Sequence, residues 1–156
     1  MSPAPKTRIA VAGAGTIGLA HIAAVRASAT VTLTGIVDPS PAAQAPADAA
    51  GVPLYTSLAE LFTRDKPDGV VLATPNTLHL AQALAGIAAG VPMLLEKPIA
   101  PNVADAQALV RAADAAQSRI LIGHHRAHSP ILAKAREVIE AGVLGRLAVS
   151  YTHLRA

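Results

Sequence analysis

The stretch TRIAVAGAGTIGLAH, residues 7–21, decides the fold. It begins with an apolar run typical of a buried strand and ends in an alanine-rich pattern typical of a helix. Between them, Gly13, Gly15 and Gly18 match the pattern G-x-G-x-x-G. In such a turn the first glycine permits a tight bend, the second lets a pyrophosphate approach the backbone, and the third lets helix and strand pack closely. The stretch therefore predicts a strand–turn–helix unit that binds a dinucleotide.

The residues after this turn predict which dinucleotide is bound. Thr16 and Ile17 begin the helix, where free N–H groups and a partial positive charge attract phosphates. Asp38 lies 20 residues after the last glycine, where a carboxylate accepts hydrogen bonds from the adenosine ribose. It would also repel a 2′-phosphate, and residues 39–51 contain no lysine or arginine to offset that. NAD is therefore predicted over NADP. The alternative is that Asp38 only caps a turn.

Apolar runs alternate with helical segments along most of the chain. This alternation predicts an α/β fold, a Rossmann-type doubly wound parallel sheet of about six strands with helices on both faces. We expect this domain to occupy residues 1–125, and residues 126–148 to form an exit helix and linker. The predicted strands are residues 7–13, 31–38, 52–55, 69–74, 91–96 and 119–125.

Capping residues mark the beginnings of several predicted helices. Ser57-Leu58-Ala59-Glu60 matches a capping box, and Ser40 and Asn102 are predicted N-caps. Ser129 precedes a proline that is typical of a first helical position. Pro46 should weaken the helix that follows Ser40.

The composition excludes several classes of protein. The chain has no cysteine, so it has no disulfide framework, thiolate nucleophile or cysteine-based zinc site. No uninterrupted apolar run approaches the roughly 18 residues of a membrane span. The net charge of +3 is scattered, and Tyr55, Phe62 and Tyr151 form no stacking platform, so nucleic acid is not a predicted partner. This composition fits a cytoplasmic protein.

Three motifs, GAGTIGLAH (13–21), ATPNTLH (73–79) and LLEKP (94–98), together resemble the Gfo/Idh/MocA family of oxidoreductases. The resemblance covers about residues 7–148 and implies the N-terminal nucleotide-binding half of such an enzyme. It implies NAD- or NADP-dependent oxidation or reduction of sugars, polyols or related alcohols. It also implies that the C-terminal α/β substrate domain is absent, and that the full-length protein is a homo-oligomer.

The resemblance assigns the catalytic role to Lys97, beside the nicotinamide and the reacting hydroxyl. Glu96 would hold that lysine or contact the nicotinamide ribose. Ligands of open α/β sheets lie beyond the carboxyl ends of the strands, and the fifth predicted strand ends at Glu96. The alternative is a surface ion pair, which contributes less than about 1 kcal/mol.

The ATPNTLH motif adds further candidates for cofactor binding. By the resemblance, Thr74, Pro75 and Asn76 lie where the family's loop passes the ribose and nicotinamide. His79 matches a family histidine and is either a ligand contact or a helix-packing residue. His21 also matches a family histidine and is interpreted as structural.

The segment GHHRAHSP, residues 123–130, matches the family less well. Arg126 corresponds to one of the family's arginines and is counted with the cofactor-binding residues. His124 and His125 could line the site, whereas His128-Ser129 departs from the usual phenylalanine-aspartate. These histidines lack a nearby acid or cysteine that would complete a zinc set, so no metal site is predicted.

The last residues have two interpretations. The segment from Leu147 could begin the first strand of a C-terminal domain, because small and larger residues alternate there. We favour the alternative that VSYTHLRA, residues 149–156, is a non-native tail that resembles the translated end of a sequencing adapter. In both cases we expect a truncated enzyme that binds NAD without turnover. A competing hypothesis is a non-catalytic dinucleotide-binding module with a sensor or regulatory role, which would need no lysine at the strand end.

Overall fold

Six parallel strands form a single sheet in the computed structural model, which describes residues 5–146. Their order across the sheet is β3-β2-β1-β4-β5-β6. This is the doubly wound order, in which the chain reverses direction across the sheet between β1 and β4, and it confirms the predicted fold class. The strands are β1 (Thr7–Ala12), β2 (Val31–Val37), β3 (Leu54–Tyr55), β4 (Gly69–Leu72), β5 (Met93–Leu95) and β6 (Ile120–Ile122).

The helices α1 to α5 connect the strands and cover both faces of the sheet. They are α1 (Thr16–Ala27), α2 (Gln44–Ala50), α3 (Leu58–Arg64), α4 (His79–Ala88) and α5 (Val103–Ala115). A further helix, α6 (Pro130–Glu140), follows β6 along the chain. Ile22 of α1 and Ala47 of α2 pack with Val11 on one face. Leu61 of α3 and Leu109 of α5 belong to the buried cluster on the other face. Because successive strand residues point to opposite faces, the continuous apolar strands fill two cores.

The second helix differs from its predicted form. Ser40 caps a short 3₁₀ turn, Pro41–Ala43, by accepting a hydrogen bond from the Ala42 N–H. The α-helix proper begins only at Gln44, so Pro46 lies in its first turn. There a proline costs little, because first-turn N–H groups have no partner within the helix.

The capping box of α3 is present in a shifted form. The Ser57 hydroxyl accepts a hydrogen bond from the Glu60 N–H at 3.2 Å, as predicted. The Glu60 carboxylate, however, accepts the N–H of Thr56 at 2.9 Å rather than that of Ser57. Asn102 caps α5 as predicted, since its side-chain oxygen accepts the Asp105 N–H at 2.9 Å.

Contacts divide the chain into two units, with the boundary after Gly123. The first unit contains the sheet and the helices α1 to α5. The second begins at His124 and contains a 3₁₀ turn, His125–His128, and the helix α6. No helix within residues 5–146 has the length and apolar character needed to cross a membrane. The tail predicted at residues 149–156 lies outside the described residues.

Candidate active site

A cleft of about 800 Å³ opens at the carboxyl ends of β1, β2 and β4. This is where the strand order reverses, the usual ligand-binding position in a doubly wound sheet. The cleft brings together predicted residues from three separate parts of the sequence. Its lining residues are Gly13, Gly15, Thr16, Ile17, Val37, Asp38, Pro39, Thr56, Ser57, Leu58, Ala73, Thr74, Pro75, Leu78, Ala81, Gln82 and Ala85.

The three glycines of the turn have different surroundings. Gly13 has a φ of 92°, and a Cβ there would lie 2.6 Å from the carbonyl oxygen of Ala73. A Cβ on Gly18 would lie 1.9 Å from the carbonyl oxygen of Gly13. A Cβ on Gly15, by contrast, would meet nothing within 4 Å. Packing therefore requires Gly13 and Gly18, whereas the space beside Gly15 is open to a ligand.

The N-terminus of α1 suits an anionic ligand. Gly15 is its N-cap, no side chain caps the helix, and its first turn has no acidic residue. The partial positive charge of the first turn is therefore not offset by a neighbouring carboxylate of the helix. Thr16 and Ile17 of that turn line the cleft.

Asp38 lines the cleft and is hydrogen-bonded to the glycine turn. One carboxylate oxygen accepts the N–H of Ala14 at 2.8 Å, and the other accepts the N–H of Ser40 at 2.9 Å. Asp38 therefore does cap the turn, as the alternative interpretation proposed, and it lines the cleft as well. Each carboxylate oxygen still has a lone pair for a ligand hydroxyl. Asp38 is also the one ionisable residue in the set that lines the cleft.

The loop after β4 forms the opposite wall of the cleft. The Thr74 hydroxyl donates to the side-chain oxygen of Gln82 at 2.5 Å, and both residues line the cleft. Pro75 lines it as well, whereas Asn76 begins the 3₁₀ turn that precedes α4 and is not among the lining residues. Gln82 was not predicted, because only the fold brings this helical residue to the cleft.

His79 is buried below this loop, with 1% of its surface exposed. Its Nδ1 lies 2.8 Å from the carbonyl oxygen of Pro98, and its Nε2 lies 3.0 Å from that of Thr74. A backbone carbonyl oxygen thus lies within hydrogen-bond distance of each ring nitrogen, and almost none of the side chain is exposed. This environment favours the helix-packing alternative for His79, and its assignment to the cofactor-binding residues stays a prediction.

Glu96 and Lys97 follow β5 at the same edge of the sheet. The Glu96 carboxylate lies 2.9 Å from His21 Nε2 and accepts the backbone N–H of Lys97 at 3.2 Å. Within residues 5–146 it forms no ion pair with the Lys97 ammonium group. Glu96 therefore holds Lys97 through its main chain. The side chain of Lys97 is exposed and does not line the cleft.

The remaining predicted residues lie in the second unit. Arg126 is exposed in the 3₁₀ turn that also contains His125 and His128, and its contact with the cofactor stays a prediction. In the part of the chain that the structure describes, no three His, Cys, Asp or Glu side chains are placed to hold a metal ion.

The environment of Glu96 predicts how it titrates. Burial raises the pKa of Glu96, but the hydrogen bonds from His21 and the Lys97 N–H, together with the charges of both residues, lower it by more. Because the pKa is lower in the folded chain, this stabilisation is present above the unfolded pKa of Glu96. It is lost as the pH falls through the lowered pKa.

We therefore expect Glu96 to titrate below its ordinary value in the wild type, and His21→Leu to raise its pKa. Carboxyl carbon NMR over an acid titration measures both. Glu60 is the internal control, since its lowered pKa depends mainly on the Thr56 N–H and not on His21. An unchanged Glu96 titration in His21→Leu would contradict the assignment.

The surroundings of the glycines predict that one substitution lowers stability and another weakens NADH binding. Gly18→Ala places a methyl group against the Gly13 carbonyl and should lower the free energy of unfolding by roughly 1–3 kcal/mol. Gly15→Ala should change it by less than about 0.5 kcal/mol. It should nevertheless weaken NADH binding about tenfold or more, because the methyl group occupies the ligand's approach. Urea unfolding and NADH fluorescence titration separate the two effects, and equal NADH affinity in Gly15→Ala would contradict the prediction.

Comparison with known proteins agrees with this geometry. A family described as "Oxidoreductase family, NAD-binding Rossmann fold" matches residues 7–124. The rhizopine catabolism protein MocA of Rhizobium meliloti is 32% identical over 141 residues, which are 90% of this chain and 44% of that protein. Inositol 2-dehydrogenase 4 of Saccharopolyspora erythraea is 32% identical over 143 residues, 89% of this chain and 42% of that protein.

A solved structure is similar over the same region. It is the WlbA dehydrogenase from Bordetella pertussis, in complex with NADH and UDP-GlcNAcA. The TM-score is 0.84 at 32% sequence identity, and the match covers 94% of this chain and 43% of that one. The chain thus spans less than half the length of these relatives. It belongs to the Gfo/Idh/MocA oxidoreductase family, of which it contains the NAD-binding Rossmann fold.

Proposed function

We propose that this chain is the nucleotide-binding part of an NAD-dependent oxidoreductase that acts on a sugar, polyol or related alcohol. The observation that carries the proposal is the cleft at the carboxyl edge of the sheet, open beside Gly15 and lined by Asp38. Lys97 follows β5 at that same edge. A dinucleotide site and a basic side chain at one sheet edge are two of the elements that hydride transfer from an alcohol requires.

The lining residues fit the parts of NAD. The first turn of α1 suits the pyrophosphate, and the Asp38 carboxylate suits the hydroxyls of the adenosine ribose. Ile17 and Leu78 line the cleft and are 51% and 45% exposed, so they offer apolar surface to a ring. The lining set has no cationic side chain that could pair with a 2′-phosphate. This supports NAD as the cofactor rather than NADP.

The proposed chemistry assigns one role to the chain itself. Nicotinamide, when bound, supplies the carbon that accepts or releases the hydride. Lys97 would hold the substrate hydroxyl at its Nζ and exchange the proton that leaves or joins the oxygen. Its exposed side chain means that cofactor and substrate would have to exclude the water around it.

The substrate class rests on the relatives. The names of two of them refer to inositol and rhizopine catabolism, and the WlbA structure contains UDP-GlcNAcA. Because the chain spans less than half of their length, we place the rest of the substrate site in a C-terminal α/β domain. We also propose that the full-length protein is a homo-oligomer.

A second candidate is a dinucleotide-binding module without catalysis. One observation favours it, namely that Lys97 does not line the cleft that the sheet itself forms. Residues 5–123 therefore contain the main elements of a binding site independently of the proposed catalytic lysine.

The cofactor assignment predicts the behaviour of Asp38→Asn. The substitution removes the charge and one of the two acceptor oxygens, so NADH binding should weaken about tenfold. Because the charge that repels a 2′-phosphate is gone, the ratio of NADPH affinity to NADH affinity should rise. Fluorescence titration of both nucleotides measures the ratio. Asp48→Asn is the matched control, because Asp48 is exposed on α2. A wild-type chain that binds NADPH as tightly as NADH would overturn the preference for NAD.

The catalytic assignment predicts the behaviour of Lys97→Ala in a chimera with the C-terminal part of the Saccharopolyspora inositol dehydrogenase. Loss of the lysine should lower kcat for inositol oxidation roughly 10²–10⁴-fold, with NADH affinity changed less than threefold. Lys66→Ala is the matched control, because Lys66 is also exposed and also precedes a proline. Equal turnover in Lys97→Ala would overturn the catalytic assignment of Lys97.

A further inference from the structure

Two histidines flank the Lys97 segment, which we define as residues 96–98. His21 lies in the second turn of α1, the helix that begins at the glycine turn. His79 is the first residue of α4, the helix that follows the Thr74–Asn76 loop. One contacts the residue before Lys97, and the other contacts the residue after it. Lys97 itself has an exposed side chain.

The contact before Lys97 is made through a carboxylate. His21 Nε2 lies 2.9 Å from one oxygen of Glu96, and the other oxygen accepts the Lys97 N–H at 3.2 Å. The backbone of Gly123 packs close to the same carboxylate, since a Cβ on Gly123 would lie 2.9 Å from Glu96 Oε1. The side chains of His21 and Glu96 are only 24% and 13% exposed, so water competes weakly for this pair.

The contact after Lys97 is made to the backbone. His79 Nδ1 lies 2.8 Å from the Pro98 carbonyl oxygen, and Nε2 lies 3.0 Å from the Thr74 carbonyl oxygen. One side chain thus connects the wall of the cleft to the Lys97 segment. A neutral imidazole has one N–H and can donate to only one of these carbonyls, whereas an imidazolium can donate to both.

We propose that His21 and His79 are positioning residues that hold the Lys97 segment from both sides. The inference rests on the proposed function, because it explains how an exposed lysine is kept at a fixed place relative to the cleft. Neither histidine contacts substrate or cofactor in this scheme. His21 acts through Glu96, and His79 acts through the Pro98 carbonyl.

The two nitrogens of His79 allow a matched pair of variants. The side-chain nitrogen of asparagine lies roughly where Nδ1 lies, and that of glutamine roughly where Nε2 lies. His79→Asn therefore retains a donor to Pro98, whereas His79→Gln retains only a donor to Thr74. In the same way His21→Gln retains a donor to Glu96, and His21→Leu does not.

The primary measurement is the amide order parameter of Lys97, from ¹⁵N relaxation of the chain without cofactor. We expect about 0.85 in the wild type, His79→Asn and His21→Gln, and less than about 0.6 in His79→Gln and His21→Leu. His128→Asn is the control, because His128 is exposed in the second unit. If circular dichroism shows that the His79 variants do not fold, the His21 pair decides by the same criterion.

Two results would overturn the inference. One is an unchanged order parameter in both His79→Gln and His21→Leu. The other is an equal loss in the conservative and non-conservative members of each pair, which would indicate a general packing defect.

A second arm tests the proposed function separately, by comparing the Lys97 amide shift with NADH and with ADP-ribose. A shift specific to NADH supports a place beside the nicotinamide. If no such shift is seen but the order parameters are as expected, Lys97 does not lie beside the nicotinamide. The positioning role of the histidines would still be supported.

Discussion

The close contact between α1 and the turn that precedes it is the constraint on which the site depends. The carbonyl oxygen of Gly13 occupies the space that a Cβ on Gly18 would need, at 1.9 Å. Because Gly18 has no side chain, the helix can lie this close to the end of β1. This contact orients the uncapped first turn toward the cleft, and it brings His21, one turn later, to Glu96. The proposed cofactor binding and the proposed support of Lys97 thus share one packing requirement.

Charge is distributed to suit an anionic cofactor with free ribose hydroxyls. The first turn of α1 has no acidic side chain of its own, and the carboxylate of Asp38 lies at the end of the neighbouring strand. Asp38 also accepts the N–H of Ala14, so the residue proposed to select the cofactor holds the turn that would receive the pyrophosphate. In the proposed function, selection and binding of the cofactor would therefore be coupled through one side chain.

Parallel strands explain why motifs far apart in sequence meet. Every strand enters the sheet in the same direction, so the ends of β1, β2, β4 and β5 all lie at one edge. The loops after these strands contain the glycine turn, Asp38, Thr74 and Lys97. Within this edge, the histidines connect elements that the strands alone would leave separate. His79 joins two loops, and His21 joins a helix to a strand end.

The sequence by itself determined the fold class, the approximate strand segments and the position of the glycine turn. These follow from local rules, namely apolar periodicity, glycine spacing and capping residues such as Asn102. Only the tertiary structure decided that His79 is buried beneath the site, that Glu96 pairs with His21 and that Gln82 lines the cleft. Each of these depends on contacts between residues distant in the chain, and a side chain's burial and partners are not encoded in its immediate neighbours. The 3₁₀ turn before α2 was missed for a related reason, and this turn is what places Pro46 in the first turn of the helix.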